Sequence, residues 1–148
     1  KEAEDDQPEA PEYLRLLGAT RNPKAKVLLA TFLSRRDRLS LRQGAIEGLG
    51  YVYDDQIAAR FRQIVQDIST DFGTVDAILR VIARVKDAKQ VDLLLSLIRE
   101  PTPVGIKEAW GEAMRAVARD AAVPYWQSWS ESPDAGLRRL ATECLSGR

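Results

Sequence analysis

Apolar residues recur with helical spacing along most of this chain, and this spacing constrains its fold more than any other feature. Five residues from Ile57 to Ile68 fall at i, i+4, i+7, i+8 and i+11, and similar stripes begin at Val91, Ile106 and Leu137. This spacing places apolar side chains on one face of a helix. No segment alternates convincingly as a β-strand does, so the sequence predicts an all-α protein.

The helical segments repeat about every 33 residues. Four anchor residues, Leu17, Leu49, Ile82 and Val117, stand 32, 33 and 35 residues apart, and a small residue follows each one. A single helix pair of this length cannot bury its apolar stripes, whereas stacked pairs can. The repeat therefore predicts an α-solenoid of about four stacked antiparallel helix pairs, after a short first helix from about Ala10 to Thr20.

Helix-capping residues mark where the helices should begin. Asn22, Asp54 and Asp87 follow the first three anchors by five residues, and Asp120 follows the fourth by three. Their side chains can accept hydrogen bonds from the free N–H groups of a first helix. For the second helices we predict a Ser40-x-x-Gln43 capping box, caps followed by proline at Thr102-Pro103 and Ser132-Pro133, and a start at either Thr70 or Thr74.

The second helices carry a recognisable pattern. It reads Leu41-Arg42-x-x-Ala45-Ile46-x-x-Leu49-Gly50 and returns as Leu137-Arg138-x-x-Ala141-x-x-x-Leu145. Over roughly residues 13–147 the chain resembles HEAT repeats of the short bacterial kind also found in bilin-lyase-type proteins. The resemblance implies an α-solenoid with a ladder of Arg–Asp contacts between repeats. Asp54, Asp87 and Asp120 match the Asp, and Arg42 and Arg138 match the Arg, but Val75 and Trp110 replace the other two arginines. The resemblance implies little about function because such repeats serve many partners, and nothing singles out the bilin-lyase activity known for relatives.

The charge distribution divides the chain. Basic and acidic residues number 22 each, but residues 1–12 alone carry a net charge of −5. We expect residues 1–12 to form an acidic flexible lead-in and residues 13–148 to form the helical repeat domain. No apolar run is long enough to span a membrane. The chain begins at Lys1, as a processed product or an excised piece would, and the compartment stays open.

The residue inventory argues against catalysis. The chain has no histidine, which excludes Ser-His and Cys-His nucleophile pairs and the common zinc sites. Its one cysteine, Cys144, lies on an apolar stripe and should be a buried, inert thiol. The Gly44-x-x-x-Gly48-x-Gly50 motif follows no strand, so close helix packing explains it better than a nucleotide fingerprint does. We predict no catalytic residue, metal ion or cofactor.

Two groups of arginines are candidate binding sites. Arg80 with Arg84, and Arg115 with Arg119, form two i,i+4 pairs that should lie exposed together on the concave surface, where guanidinium groups suit carboxylates or phosphates. The alternative is a solvated face neutralised by Asp76, Glu108 and Glu112. The second group is Arg35, Arg36, Arg38 and Arg42. It could contact a phosphate or an acidic peptide, hold the acidic lead-in, or be an ordinary exposed turn.

The tryptophans form a third candidate. Trp110, Trp126 and Trp129 lie in the last third of the chain, with Tyr125 beside them. A thin two-layer solenoid should leave part of this aromatic area exposed as an interface, with Trp126 and Trp129 as contact residues. The alternative is core packing that closes the C-terminal end.

These features together favour a non-enzymatic protein–protein interaction or scaffold module. It would hold a protein partner, an acidic protein being one candidate, through its concave face and exposed aromatics. One alternative is an accessory helical-repeat domain of a larger enzyme, as at the C-terminus of M1-type aminopeptidases. Another is a binder of nucleic acid or an acidic ligand through the four arginines, although the neutral total charge disfavours nucleic acid. The sequence also disfavours a small-molecule substrate.

Overall fold

The computed structural model describes residues 10–98 and 103–147. Within these ranges the chain is all-α, as predicted, and contains no strand. The nine helices found there are α1 (Ala10–Ala19), α2 (Pro23–Thr31), α3 (Leu39–Leu49), α4 (Asp55–Gln66), α5 (Phe72–Val85), α6 (Val91–Leu97), α7 (Val104–Val117), α8 (Arg119–Trp129) and α9 (Ala135–Leu145).

The helices follow the predicted order along the chain. Helix α1 corresponds to the short first helix, and α2 to α9 alternate as the first and second helices of four pairs. Of the acidic lead-in, residues 1–9 lie outside the described residues, while Ala10 already begins α1. None of the described helices is both long and apolar enough to cross a membrane. The described residues divide into two compact units, with the boundary between Val81 and Ile82.

Three glycines govern the packing of the first unit. Helices α1 and α3 approach so closely that a Cβ added at Gly44 would lie 2.5 Å from the Pro11 carbonyl oxygen, and one added at Gly48 would lie 2.5 Å from that of Leu14. Gly18 of α1 faces the Gly48 backbone in the same crossing. The prediction that Gly44 and Gly48 serve helix packing is therefore confirmed.

Three of the predicted first-helix caps are confirmed. The Asn22 side chain accepts a hydrogen bond from the Lys24 N–H (2.9 Å), and Asp54 accepts one from the Ile57 N–H (2.9 Å). Asp87 accepts from the Lys89 N–H (3.1 Å) at the 3-10 turn Ala88–Gln90, which leads into α6. The prediction for Asp120 is wrong, because α8 already begins at Arg119.

The predicted starts of the second helices need correction. Helix α3 begins at Leu39, so Ser40 lies inside it, and Arg38 precedes it without a side-chain cap bond. Before α5, Asp71 accepts from the backbone N–H of Thr74 (2.9 Å), so neither threonine is the cap. A carboxylate is the stronger acceptor at the positive end of a helix.

The start of α9 shows the same preference for a carboxylate. Asp134, not Ser132, caps α9 and accepts from the Leu137 N–H (2.8 Å). Thr102 lies outside the described residues, and Pro103 directly precedes α7.

The tryptophans form the core of the second unit. The exposed fraction is 0% for Trp110 and Trp126 and 7% for Trp129. The Trp110 indole donates to the Leu94 carbonyl (2.6 Å), and its ring meets Tyr125 and Trp129 edge-on with centroids 4.9 and 5.5 Å away. The expectation that part of the tryptophan area stays exposed is wrong, because α7, α8 and α9 pack together and enclose these rings.

Candidate functional site

A cleft lined by arginines lies within the first unit. Its volume is about 230 Å³, and its lining comes from the segment between α2 and α3, from α3, and from α4 and the residue after it. The polar lining residues are Ser34, Arg36, Arg42, Arg60, Gln63 and Asp67, and the apolar ones are Leu33 and Ile64. We call this feature the arginine cleft.

Arg42 is the buried member of the arginine cleft. It lies on the α3 face that packs into the unit and is 4% exposed, and its Nε has no hydrogen-bond partner. Burial lowers the pKa of its guanidinium, opposed by the charge of Asp71 and, more weakly, of Asp67. Arginine stays protonated despite such a shift, so the cleft holds a buried cation with an unused donor.

Arg36 and Arg60 are the exposed members. Arg36 follows α2 and donates to the Asp67 carboxylate (2.6 Å) and to the Ser69 hydroxyl (3.0 Å). Hydrogen bonds from the hydroxyl and the N–H of Ser69, and then from Arg36, lower the pKa of Asp67 to about 2. Asp67 is therefore ionised at neutral pH. Arg60 lies on the solvent side of α4.

The arginine cleft carries a positive excess. Among the described residues that line it, three arginines face one carboxylate, Asp67. Such an excess in a concave, partly apolar site attracts anions. Guanidinium groups bind carboxylates and phosphates with paired hydrogen bonds.

Sequence reasoning anticipated part of this site. Arg36 and Arg42 belong to the predicted turn patch and do meet in the cleft, whereas Arg35 and Arg38 are not among its lining residues. Arg35 instead interacts with Asp37 (3.4 Å) and lies 6.0 Å from the Phe32 ring centre. The sequence does not single out Arg60, because only the tertiary fold brings this α4 residue to the same cleft as Arg42.

The other four arginines are held in different ways. Arg80, in the first unit, pairs with Asp76 (2.8 Å) as the solvated-face alternative expects. Arg84 is exposed, and Arg115 and Arg119 are half-buried. Arg119 donates to the Cys144 carbonyl and lies 5.8 Å from the Trp126 ring centre. Because the four arginines divide between the two units, a surface common to all of them stays a prediction.

At Asp54 and Arg138 the contacts differ from the Arg–Asp ladder that the resemblance implies. Asp54 pairs with Lys26, which also donates to Gln56 (3.0 Å). Arg138 donates to the backbone carbonyls of Ser132 (2.8 Å) and Pro133 (3.1 Å). The Lys26 contacts join α2 to the start of α4, and the Arg138 contacts hold the turn before α9.

The described residues contain no group of three His, Cys, Asp or Glu side chains that could hold a metal ion. Cys144 is buried, as predicted, with an exposed fraction of 1%, and this burial raises the pKa of its thiol. A thiol in that state is a poor nucleophile at neutral pH.

The fold defines an all-α helical-repeat protein. A solved structure with a similar fold is the complex of CpcE and CpcF of phycocyanin lyase from Nostoc sp. PCC7120, with a TM-score of 0.74 and 20% sequence identity. The match covers 96% of this chain and 60% of that chain, so this chain spans less than two thirds of the length of the chain that it matches. No family model and no curated protein sequence matches this chain. The likeness confirms the predicted helical-repeat fold class.

Proposed function

We propose that this chain is a non-enzymatic interaction module and that it binds an acidic protein partner through the arginine cleft of its first unit. The observation that carries the proposal is the convergence of Arg36, Arg42 and Arg60 on one cleft. The fold supports it, since the solved structure of similar fold is a complex of two proteins.

The geometry favours an acidic partner. Arg36 and Arg60 are exposed and can reach a docking surface, while Arg42 lies beneath them and keeps a donor unused. An acidic side chain that enters the cleft would meet guanidinium groups from three segments of the chain. The tryptophans are buried, so the proposal relies on the arginines and not on exposed aromatics.

The proposal of a non-enzymatic role draws on the side chains that are present. The chain contains no histidine, and its single thiol, Cys144, is enclosed with a raised pKa. Acid–base catalysis would therefore depend on carboxylates, lysine or tyrosine.

A capture experiment with charge-matched variants tests the proposal. The chain is immobilised, its partner is captured from a lysate of the source organism and identified, and the affinity is then measured with the purified partner. The test variant is Arg36→Gln/Arg60→Gln. The control is Lys24→Gln/Arg139→Gln, which removes the same charge from exposed positions outside the cleft.

We expect the test variant to bind the partner at least roughly ten-fold more weakly, because each charge-assisted hydrogen bond contributes about 1.5–3 kcal/mol. The control should stay within about two-fold of the unmodified chain. Equal affinity for all three proteins, or an equal loss in both variants, would rule out the cleft as the contact site. Circular dichroism confirms that each variant is folded.

A further inference from the structure

We infer that the arginine cleft is an oxyanion site that takes up a single phosphate group, with Arg42 as the buried donor on its floor. This inference rests on the proposed function, because it names the chemical group that the interaction surface recognises. The group can belong to a small phosphate ester or to a phosphorylated side chain of a partner protein.

The unused donor of Arg42 is the first reason. Its side chain is 4% exposed, lines the cleft, and has an Nε without a hydrogen-bond partner. Buried polar groups are almost always paired, since an unpaired donor carries its full desolvation penalty. Nε exposes less than 1 Å² of surface, so the guanidinium would have to turn towards the cleft before a ligand oxygen accepts this N–H and removes the penalty.

The charge of the lining is the second reason. Arg36, Arg42 and Arg60 contribute three positive charges, and Asp67 removes one. Asp71 also acts on Arg42 electrostatically, but it is not among the lining residues. The lining itself has an excess of two charges, which matches a phosphate monoester with about −1.5 to −2 at neutral pH. Asp71 acts on Arg42 more strongly than Asp67 does, so it offsets part of this excess at Arg42. A carboxylate carries a single charge and would neutralise less of the lining.

The size and walls of the cleft are the third reason. Its volume of about 230 Å³ is smaller than the roughly 300–1,000 Å³ of sites that enclose a whole drug-sized ligand. A phosphate group with the first atoms of its ester suits this space better than a complete cofactor does. Leu33 and Ile64 add apolar surface to the lining, and such surface lowers the local polarity and strengthens ionic contacts.

Phosphate titration observed by nuclear magnetic resonance tests the inference without any partner protein. Inorganic phosphate is added to the full chain at constant ionic strength, and the Nε–H signals of the arginines are followed. Acetate, a monoanionic carboxylate, is titrated in parallel. Arg42→Lys assigns the Arg42 signal and, if that variant does not fold, Arg60→Gln still tests the site. Arg35→Gln is the matched control, because Arg35 stands beside Arg36 in sequence but does not line the cleft.

We expect saturable binding of inorganic phosphate with a Kd at or below about 1 mM and a shift of the Arg42 Nε–H signal. Acetate should bind roughly ten-fold more weakly. Arg60→Gln should weaken phosphate binding roughly ten-fold and Arg35→Gln less than about two-fold. The inference is overturned if the Arg42 signal does not respond to phosphate, if acetate binds as tightly, or if both variants lose the same affinity, since binding would then follow net charge alone.

Two further arms distinguish the sources of the phosphate group. Phosphoserine represents a small ester. A peptide whose only charged group is one phosphoserine represents a modified partner. Tighter binding of the peptide supports a protein source, and equal binding supports a small ester. Failure of the proposed function can be told apart from failure of this inference. If the chain binds phosphate but Arg36→Gln/Arg60→Gln does not change partner capture, only the proposed function is refuted. Cleft-dependent capture without phosphate binding refutes this inference alone.

Discussion

Replacing Gly48 by alanine tests the helix crossing on which the first unit depends. The new Cβ would lie 2.5 Å from the Leu14 carbonyl oxygen and 3.1 Å from Leu29 Cδ1. Ordinary contact begins at 3.4 Å, so the backbone of α1 must move by about 0.9 Å. Backbone atoms at a helix crossing cannot rotate away as a side chain can, so the whole of α1 must shift.

Two opposing effects set the size of the change. Alanine in a helix is favoured over glycine by up to about 1 kcal/mol, while overpacking a tight contact costs about 1–3 kcal/mol. We expect the second to prevail at Gly48, with a net loss of about 1–2 kcal/mol in the free energy of unfolding. In urea, where m-values are typically about 1–3 kcal/mol/M, this lowers the unfolding midpoint by roughly 0.3–2 M.

Gly105→Ala is the matched control. Gly105 also lies in a helix, but a Cβ there would meet nothing within 4 Å. The same substitution should therefore stabilise by a few tenths to about 1 kcal/mol. Urea unfolding followed by far-ultraviolet circular dichroism measures both variants. If Gly48→Ala proves as stable as Gly105→Ala, α1 and α3 do not cross as described.

Three further predictions concern single side chains. Trp110→Phe should lower the free energy of unfolding in urea by about 1–3 kcal/mol, because it leaves the Leu94 carbonyl without its donor. Trp126→Phe removes a buried N–H that has no partner and should cost clearly less. Equal losses would contradict the hydrogen bond between Trp110 and Leu94. The pKa of Asp67 is about 2 in the folded protein against 3.8 ordinarily, so the contribution of its charge to stability is present above about pH 4 and is lost as the pH falls towards 2. In acid titrations, the difference in unfolding free energy between the unmodified chain and Asp67→Asn should therefore shrink over that interval. A constant difference would refute the role of the charge. The buried thiol of Cys144 should react slowly with a disulfide reagent in the folded protein and quickly in urea, whereas equal rates would show that it is accessible.

Local and pairwise features of the fold were predictable from the sequence. Helical stripes, the repeat length and the caps at Asn22 and Asp54 depend on residues within one turn or one helix. Gly44 and Gly48 indicated close packing because small residues on a buried stripe have no other evident use. Where the prediction failed at Ser132, a carboxylate two residues later, Asp134, competed for the same helix N-terminus.

The candidate site was less predictable, because it depends on packing between separate segments. Arg36 and Arg42 stood out as part of a basic patch, but Arg35 shares that patch and turns instead towards Asp37. Arg60 carries no local signal and joins the cleft only because the tertiary fold brings α4 to it. Likewise, the sequence showed three tryptophans without showing that α7, α8 and α9 together would enclose them.

The central claim is that Arg36, Arg42 and Arg60 converge on one cleft that holds an oxyanion. Anomalous diffraction from crystals of the full chain soaked in tungstate, a tetrahedral dianion like phosphate, tests it most directly. We expect a strong tungsten peak inside the cleft, with an oxygen within hydrogen-bonding distance of Arg42 Nε and contacts to Arg36 and Arg60. A well-ordered cleft without a tungsten peak, in crystals that bind tungstate elsewhere, would contradict it.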